Sequence, residues 1–276
     1  MVTDFLHAAT SGSTLRSMHE LSSSLTEVAL DAAAAGERAI QEAVGTPLEV
    51  STKASPRDLV TAADHAAERA IIAYLREQRP DDAILAEESG EHPGTSPVRW
   101  VIDPLDGTTN FVHGRPDFAV AVAAEMDEEY VTGAIRRPAF GDWIAGGEVG
   151  IWASEGSPGV SEPRRLDDAL ISVGISLLPE RRATSFALLG ELLPAVRDFR
   201  RTGSASCDLF AVATGALDAY VTLDVRPWDI GPGWAVARAA GGRCLRIPTV
   251  AGRSAFLVGN PTVVDQLLPL VESHDG

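Results

Sequence analysis

The sequence has few cysteines and few basic residues, and each shortage excludes some classes of protein. Cys207 and Cys244 are its only cysteines, too few for a disulfide framework, and neither belongs to a Cys-x-x-Cys pair of the kind that binds zinc or does redox work. We expect both thiols to pack as small buried residues. The histidines are scattered without the spacing of metal ligands, and we assign them no role.

Basic residues are outnumbered, with 23 Lys and Arg against 39 Asp and Glu and a formal net charge of -16. Because nucleic acids and anionic membranes are bound by basic patches, this balance predicts no nucleic acid and no membrane partner. No apolar run approaches the ~18 residues of a membrane span, and the first residues lack the pattern of a signal peptide. We therefore expect a cytoplasmic protein.

The remaining composition is that of an ordinary folded protein, with 276 residues, 45% of them hydrophobic and 22% charged. This length is enough for one large domain or two closely packed halves. Residues 25–44 are dense in Ala, Leu and Glu and predict a packed helix. The Ser- and Thr-rich residues 1–24 predict a loosely ordered or only partly helical N-terminal lead-in.

Hydrophobic patterning divides the rest of the chain in two. Alternating and apolar runs between residues 99 and 147 are typical of an antiparallel sheet, and a Gly-, Pro- and Ser-rich break follows at residues 154–165. Beyond the break, predicted strands alternate with predicted helices. We therefore expect an α+β fold, with an antiparallel-sheet N-terminal half at residues 25–155 and an α/β C-terminal half at residues 156–276.

The sharpest chemical signal is WVIDPLDGTTNF, residues 100–111, in which a short apolar strand runs directly into two aspartates. An ionised carboxylate at the edge of a core costs several kcal/mol unless it is paired or binds a metal. Asp103 and Asp106 therefore predict a bound cation. The backbone carbonyl of Leu105, between them, is a further oxygen ligand of the kind that hard cations accept.

Three more carboxylates stand near the ends of predicted elements, where side chains can converge: Asp64, Glu87 and Asp229. Mg²⁺ usually binds a few such carboxylates while keeping waters or substrate phosphate. The N–H groups of Gly107 and Thr108 begin a predicted short helix, where an anion would lie beside the ions. Because bound cations reverse the local field, such an acidic cleft suits metal-activated water attacking phosphorus.

Each of these carboxylates also has a structural interpretation. Asp64 stands three residues after Thr61, which is the spacing of a helix-capping box. Glu87 and Glu88 fit a solvated strand end, and Asp229 precedes a predicted helix that it could cap. Turn chemistry explains Asp103 less well, because the strand that leads into it is apolar.

Five stretches together resemble the inositol monophosphatase family, a branch of the lithium-sensitive, magnesium-dependent phosphatases. They are KASPRDLVTAAD (53–64), ILAEES (84–89), WVIDPLDGTTNF (100–111), RRTGSASCDL (200–209) and DAYVTLDVRPWD with its following AGG (218–229 and 240–242). Their order and spacing match the family across residues 25–265. The resemblance implies a layered αβαβα sandwich, Mg²⁺ as the cofactor, a small phosphorylated substrate and a homodimer.

By resemblance, the candidate site residues fall into three groups. The metal ligands would be Glu87, Asp103, the Leu105 carbonyl, Asp106 and Asp229. The catalytic residues that orient and deprotonate water would be Asp64, Glu87 and Thr108. The substrate would be bound by Leu105, Asp106, Gly107, Thr108, Gly203, Ser204, Ala205, Thr222 and Asp229, with Lys53 in the family's mobile loop over the site.

Two positions depart from the family pattern. Thr222 stands where inositol-specific members have a glutamate that bonds a sugar hydroxyl, and IGPG follows Asp229 where the family typically has a small Ala-Ala-Gly run. Pro232 would fit if it lies early in its helix, where its missing N–H is not needed. The change at Thr222 leaves the metal chemistry intact and predicts comparable turnover of several small phosphomonoesters.

These observations predict a Mg²⁺-dependent phosphomonoesterase acting on a small phosphorylated polyol such as inositol 1-phosphate. Histidinol phosphatase, fructose-1,6-bisphosphatase and nucleotide 3'-phosphatase activities are alternatives within the fold. A non-catalytic regulatory member is another alternative, although the sequence has lost none of the metal ligands. A haloacid-dehalogenase-type phosphatase would place its second Asp two positions after the first, whereas the gap from Asp103 to Asp106 is three and Glu87 would have no role.

Overall fold

The computed structural model describes residues 12–43, 50–52, 59–162, 165–176, 179–223, 225–248 and 254–273, so Lys53 lies outside the described residues. The described helices are α1 Gly12–Ala43, α2 Ala62–Gln78, α3 Thr108–Val112, α4 Pro179–Leu192, α5 Ala205–Ala213, α6 Pro227–Ala239 and α7 Pro261–Ser273. The described strands are β1 Val50–Thr52, β2 Leu59–Thr61, β3 Ala83–Ala86, β4 Gly90–His92, β5 Arg99–Asp106, β6 Ala119–Met126, β7 Glu129–Arg137, β8 Asp142–Gly147, β9 Gly150–Ala153, β10 Leu170–Val173, β11 Asp198–Arg200, β12 Ala219–Leu223, β13 Arg243–Pro248 and β14 Ser254–Gly259.

The first half of the chain forms a seven-stranded sheet in the order β4-β3-β5-β6-β7-β8-β9. Its neighbouring strands are antiparallel except for β3 and β5, which run parallel with Ala86 opposite Ile102. The predicted antiparallel sheet is therefore confirmed, with one parallel pair. Because parallel strands end at the same edge of a sheet, this pair brings the residues after β3 and the end of β5 together.

The second half forms a five-stranded sheet in the order β11-β10-β12-β14-β13. Strand β10 pairs in parallel with β11 and β12, whereas β14 is antiparallel to β12 and β13. The parallel pairs are joined through α4 and α5, which is the alternation of strand and helix expected of an α/β half. Strands β1 and β2 form a separate antiparallel pair that precedes α2.

The helices form three layers around the two large sheets. Helices α1 and α2 pack on the seven-stranded sheet, where Ile71 and Trp100 share one core. Helices α5 and α6 lie between the sheets, with Phe210 packed toward the first and Leu209 toward the second. Helices α4 and α7 cover the far face, where Leu188 is buried. This is the predicted αβαβα sandwich, and no helix among the described residues combines the length and hydropathy needed to cross a bilayer.

Helix α1 extends further toward the N-terminus than the helix predicted for residues 25–44. It begins at Gly12, so the described part of the predicted lead-in is helical, while residues 1–11 lie outside the described residues. Ser and Thr are weak helix formers, but extending an existing helix adds one hydrogen bond for each residue ordered, and this outweighs their low propensity. The division of the chain at residues 155 and 156 stays a prediction.

Helix α6 also starts earlier than predicted, at Pro227, which stands at a helix position where proline is favoured. Asp229 is therefore inside the first turn, and the interpretation of Asp229 as a residue before the helix is wrong. Pro232 lies inside the helix and not in its first turn, so the expectation that an early position accommodates it is also wrong.

Close packing of α6 against β7 accounts for the unusual IGPG segment. A Cβ on Gly231 would lie 2.5 Å from Cε1 of Tyr130, and a Cβ on Gly133 would lie 2.3 Å from the carbonyl oxygen of Pro232. Both distances are too short for carbon, so each glycine makes room for the facing element. The Tyr130 ring thus occupies the space that a side chain at position 231 would need.

Candidate active site

The start of α2 holds Asp64 through a capping box. The Thr61 N–H donates to Asp64 Oδ2 at 2.9 Å, and the Thr61 hydroxyl donates to the same oxygen at 2.6 Å. The Ala63 N–H in turn donates to the Thr61 hydroxyl at 3.1 Å. The structural interpretation of Asp64 is therefore confirmed. These bonds engage Oδ2 and leave Oδ1 for a partner outside the helix.

That partner is Thr108. Its hydroxyl oxygen lies 2.9 Å from Asp64 Oδ1 and 3.1 Å from the carbonyl oxygen of Leu105, and its single proton can be donated to either acceptor. Gly107 precedes it with a φ of 93°, a left-handed conformation that favours glycine, and a Cβ there would lie 2.8 Å from the carbonyl of Asp117. The structure thus joins Asp64 and Thr108, which are 44 positions apart.

Asp103 and Glu87 meet at the shared edge of β3 and β5. The Glu87 N–H donates to the Ile102 carbonyl at 3.2 Å, and the side chains of Glu87 and Asp103 are hydrogen-bonded. Asp103 is only 1% exposed. Burial and then the Glu87 charge raise the pKa of Asp103 well above its ordinary value, and Asp106 and Asp229 raise it further.

Asp106 and Asp229 come from opposite halves of the chain. Burial and the charges of Asp106 and Glu87 raise the pKa of Asp229 well above its ordinary value, although the Arg226 N–H and guanidinium lower it. Burial also raises the pKa of Asp106, against the lowering effect of hydrogen bonds from Ser206 and Ser204. We call Glu87, Asp103, Asp106 and Asp229 the carboxylate cluster.

The donor chemistry of the carboxylate cluster fits a hard cation. Among the described residues, no three His, Cys, Asp or Glu side chains are placed so that together they could hold a metal ion. The negative charges of the cluster nevertheless repel one another, and this repulsion contributes to the raised pKa of Asp103 and of Asp229. A divalent cation would relieve this repulsion, and carboxylate oxygens are the ligands that Mg²⁺ prefers.

Comparison with known proteins identifies the family of the chain. Residues 21–268 match the model of the inositol monophosphatase family. The chain belongs to this family. Its members are phosphatases and are in general Mg²⁺-dependent.

Three similar proteins cover most of the chain. An inositol-1-monophosphatase of Mycobacterium leprae (strain TN) is 38% identical over 242 residues, which are 82% of this chain and 82% of the relative. The Nus factor SuhB of Escherichia coli (strain K12) is 35% identical over 258 residues, 88% of this chain and 94% of the relative. The crystal structure of extragenic suppressor protein suhB from Bartonella henselae has a TM-score of 0.82 and 32% identity, covering 90% of this chain and 98% of that one.

In this inositol monophosphatase family member, Thr222 belongs to a buried polar cluster that sequence reasoning missed. The Ser172 hydroxyl donates to Asp208 Oδ2 at 2.7 Å. Burial and the Asp208 charge raise the pKa of Tyr220, whereas its contact with Thr222 lowers it. A Cβ on Gly174 would lie 2.3 Å from the Thr222 hydroxyl oxygen. The residue Thr222 as a whole is only 3% exposed. The sequence signal for this cluster was the pair of polar residues, Tyr220 and Thr222, at alternate positions of the otherwise apolar β12.

The segment of Gly203, Ser204 and Ala205 is brought against the first half of the site. Asn110 Nδ2 donates to the Thr202 carbonyl at 3.1 Å, and the Ser204 hydroxyl donates to Asp106 at 2.9 Å. The structure thus brings Ser204 against an acidic residue of the first half. Contact of this segment with a substrate stays a prediction.

Sequence reasoning also missed Glu68, which lies one helical turn after Asp64 on the buried side of α2. Its Oε2 accepts the Glu88 N–H at 2.8 Å. The turn after β3 is therefore tied to α2 as well as to β5, and Glu88 is half-buried rather than freely solvated. The spacing from Asp64 to Glu68 is the i, i+4 pattern of one helix face and was the signal for this contact.

Proposed function

We propose that this family member is a Mg²⁺-dependent phosphomonoesterase that hydrolyses a small phosphorylated polyol such as inositol 1-phosphate. The observation that carries the proposal is the 2.9 Å hydrogen bond from Thr108 to Asp64, beside a carboxylate cluster in which Asp103 is buried and its pKa is raised by burial and by the charge of Glu87. A cluster of this kind needs a cation, and a hydroxyl bonded to a carboxylate is suited to proton transfer from water.

The ion ligands in this proposal are Glu87, Asp103, the Leu105 carbonyl, Asp106 and Asp229. When bound, Mg²⁺ would supply Lewis-acid stabilisation of phosphate oxygens and a lowered pKa for a bound water. Asp103 Oδ1 accepts the Leu105 N–H at 3.1 Å, so the backbone of Leu105 and the Asp103 carboxylate are already held together. The buried β5 supplies the rigid base that such ligands require.

The proton would leave the attacking water through Thr108. The water proton passes to the Thr108 oxygen as the Thr108 hydroxyl proton passes to Asp64 Oδ1, so the Thr108 hydroxyl is regenerated. The two hydrogen bonds from Thr61 hold Asp64 in one orientation, with Oδ1 toward Thr108. In the proposal Glu87 orients the same water from the other side.

Phosphate and alcohol would be bound by two further segments. The backbone N–H groups of Gly107 and Thr108 would bind phosphate. Because α3 has only five residues, its helix dipole contributes little, and the individual N–H groups would contribute most of the binding. The backbone of Gly203 and Ala205 would line the alcohol side, with Thr222 beneath it. Because Thr222 is short and uncharged, we propose a broad preference among small polyol phosphates.

A regulatory role is the second candidate function, and the similarity to the Nus factor SuhB favours it. A purely regulatory protein would have no need for the Asp64–Thr108 pair. The two candidates differ in one measurable respect, because a non-catalytic member could bind Mg²⁺ without releasing phosphate from any ester.

The test of the proposed function is phosphate release from a panel with and without Mg²⁺. The panel comprises inositol 1-phosphate, glycerol 2-phosphate, histidinol phosphate, fructose 1,6-bisphosphate and a nucleoside 3'-phosphate. We expect turnover that a strong chelator abolishes and excess Mg²⁺ restores, with the first two substrates within about tenfold of each other. Undiminished turnover in chelator contradicts the metal mechanism, and no turnover of any ester supports the regulatory role. Light scattering on the same sample tests the homodimer that the family resemblance implies.

Two aspartate variants separate chemistry from stability. Asp103→Asn should keep the melting temperature of the metal-free protein and lower turnover by more than about a hundredfold, since even partners of metal ligands are worth about ten- to a hundredfold. Asp82→Asn is the matched control, because Asp82 is equally buried but accepts hydrogen bonds from Arg79 and Trp100. It should lower the melting temperature and leave turnover per folded molecule unchanged.

A further inference from the structure

Asp106 is held by the first turn of α5. The Ser204 hydroxyl donates to Asp106 Oδ2 at 2.9 Å, and the Ser206 N–H donates to the same oxygen. Asp106 ends β5 in the first half, whereas both donors lie in the second, 98 and 100 positions further along the chain. The orientation of this carboxylate is therefore decided by the other half of the protein.

The Ser204 hydroxyl is fully occupied by this arrangement. Ser204 is the N-cap of α5, and its oxygen accepts the Cys207 N–H at 3.1 Å while its one proton goes to Asp106. The residue is only 1% exposed. Its hydroxyl therefore has no second proton to donate to a substrate and no exposed surface from which to reach one.

The Ser204 hydroxyl and the Ser206 N–H both donate to Oδ2 of Asp106. The charge of Asp106 also raises the pKa of Asp103 and of Asp229, so Asp106 lies within electrostatic reach of both. A carboxylate held through one oxygen presents the other in a defined direction.

We infer that Ser204 is a positioning residue for the cation: by binding Oδ2 of Asp106 it leaves Oδ1 as the oxygen that ligates Mg²⁺. This inference rests on the proposed function and reassigns the Ser204 side chain from substrate contact to metal binding. It also makes cation affinity depend on the packing of α5 against β5, and so on the contact between the two halves.

Magnesium binding without substrate tests the inference. Isothermal titration with MgCl₂ alone should show an about tenfold weaker affinity for Ser204→Ala than for the wild type. Ser204→Gly also lacks the hydroxyl but retains a residue favoured at N-caps, so it should show the same loss if the Ala variant folds poorly. Ser204→Thr keeps the hydroxyl and should bind within about twofold of the wild type. The KM for the phosphate ester at saturating Mg²⁺ should be unchanged in all three.

Asn260→Ala is the matched control. Asn260 caps α7 by accepting the Thr262 N–H at 2.8 Å, outside the carboxylate cluster, so its loss should lower the melting temperature without changing the Mg²⁺ affinity. If both Ser204→Ala and Ser204→Gly bind Mg²⁺ with wild-type affinity, the inference is overturned while the proposed function stands. The same holds if these variants show a raised KM with unchanged Mg²⁺ binding. A wild-type protein that binds no Mg²⁺ overturns the proposed function and this inference with it.

Discussion

Replacing Gly231 by alanine sets two physical effects against each other. Alanine in a helix is favoured over glycine by roughly 0.5–1 kcal/mol, so the substitution would ordinarily stabilise α6. At this position, however, the new Cβ would lie 2.5 Å from Cε1 and 2.9 Å from Cζ of Tyr130. Both distances are under the contact distance of carbon atoms, and overpacking of this kind costs about 1–3 kcal/mol. We therefore expect Gly231→Ala to be destabilising overall.

The magnitude follows from the two terms. Their difference is a net loss of up to about 2.5 kcal/mol. For a chain of this size each kcal/mol corresponds to about 2–4 °C, so the melting temperature should fall by up to about 10 °C. Because Asp229 lies in the same helix two positions earlier, a displaced α6 should also lower Mg²⁺-dependent turnover.

Thermal unfolding followed by circular dichroism is the assay, and Gly190→Ala is its matched control. Gly190 also lies in a helix, α4, but a Cβ there meets no atom within 4 Å. Gly190→Ala should raise the melting temperature, because only the higher helix propensity of alanine acts at this position. The two substitutions are chemically identical, so opposite signs would isolate the effect of the Tyr130 ring.

A double-mutant cycle with Tyr130→Leu completes the test. The smaller side chain leaves room for a Cβ at position 231, so Gly231→Ala should cost less in the Tyr130→Leu background than in the wild type. The reasoning is refuted if Gly231→Ala melts at or above the wild-type temperature. It is also refuted if the cost of Gly231→Ala is the same in both backgrounds, because the ring would then not be the obstacle.

Two further predictions concern the catalytic pair and the cysteines. Thr108→Val removes the hydroxyl that bonds Asp64 without changing the shape of the side chain, so kcat should fall about 10²- to 10⁴-fold with little change in KM. Thr108→Ser keeps the hydroxyl and should retain activity. Steady-state kinetics at saturating Mg²⁺ is the assay, and a fully active Thr108→Val would disprove the proton path. Burial raises the pKa of Cys244 to about 12 and raises the pKa of Cys207 as well, so both thiols should stay protonated at pH 8. A thiol-reactive chromophore should then label neither in the native protein and both in denaturant, and rapid native labelling would contradict this.

Several elements were predictable from the sequence because local rules determine them. The strand at Ala83–Ala86 has the predicted bounds, since a short apolar run between polar turns has few alternatives. The capping box of Thr61 and Asp64 follows from a spacing of three residues. The five motifs, read in order, predicted the family and the layered fold, and both are confirmed.

Other features were decided by contacts between distant parts of the chain. Glycine and proline are poor helix formers, so local propensity placed the start of α6 too late. The helix forms from Pro227 because its glycines allow it to pack directly against β7, where Gly133 and Tyr130 complete the fit. The start of α1 was misplaced for a similar reason, because propensity ranks single residues and does not register the helix that they extend.

The candidate site shows the same division. The sequence by itself determined which carboxylates stand at the ends of which elements, because an apolar strand that runs into Asp103 and Asp106 is a local pattern. Only the tertiary structure decided which oxygen of each carboxylate is already engaged: Asp64 Oδ1 by Thr108, 44 positions away, and Asp106 Oδ2 by Ser204, 98 positions away. The physical reason is that a hydrogen bond depends on the position and direction of both groups. When the two groups belong to separate elements, their relative position and direction are set only by the packing of those elements.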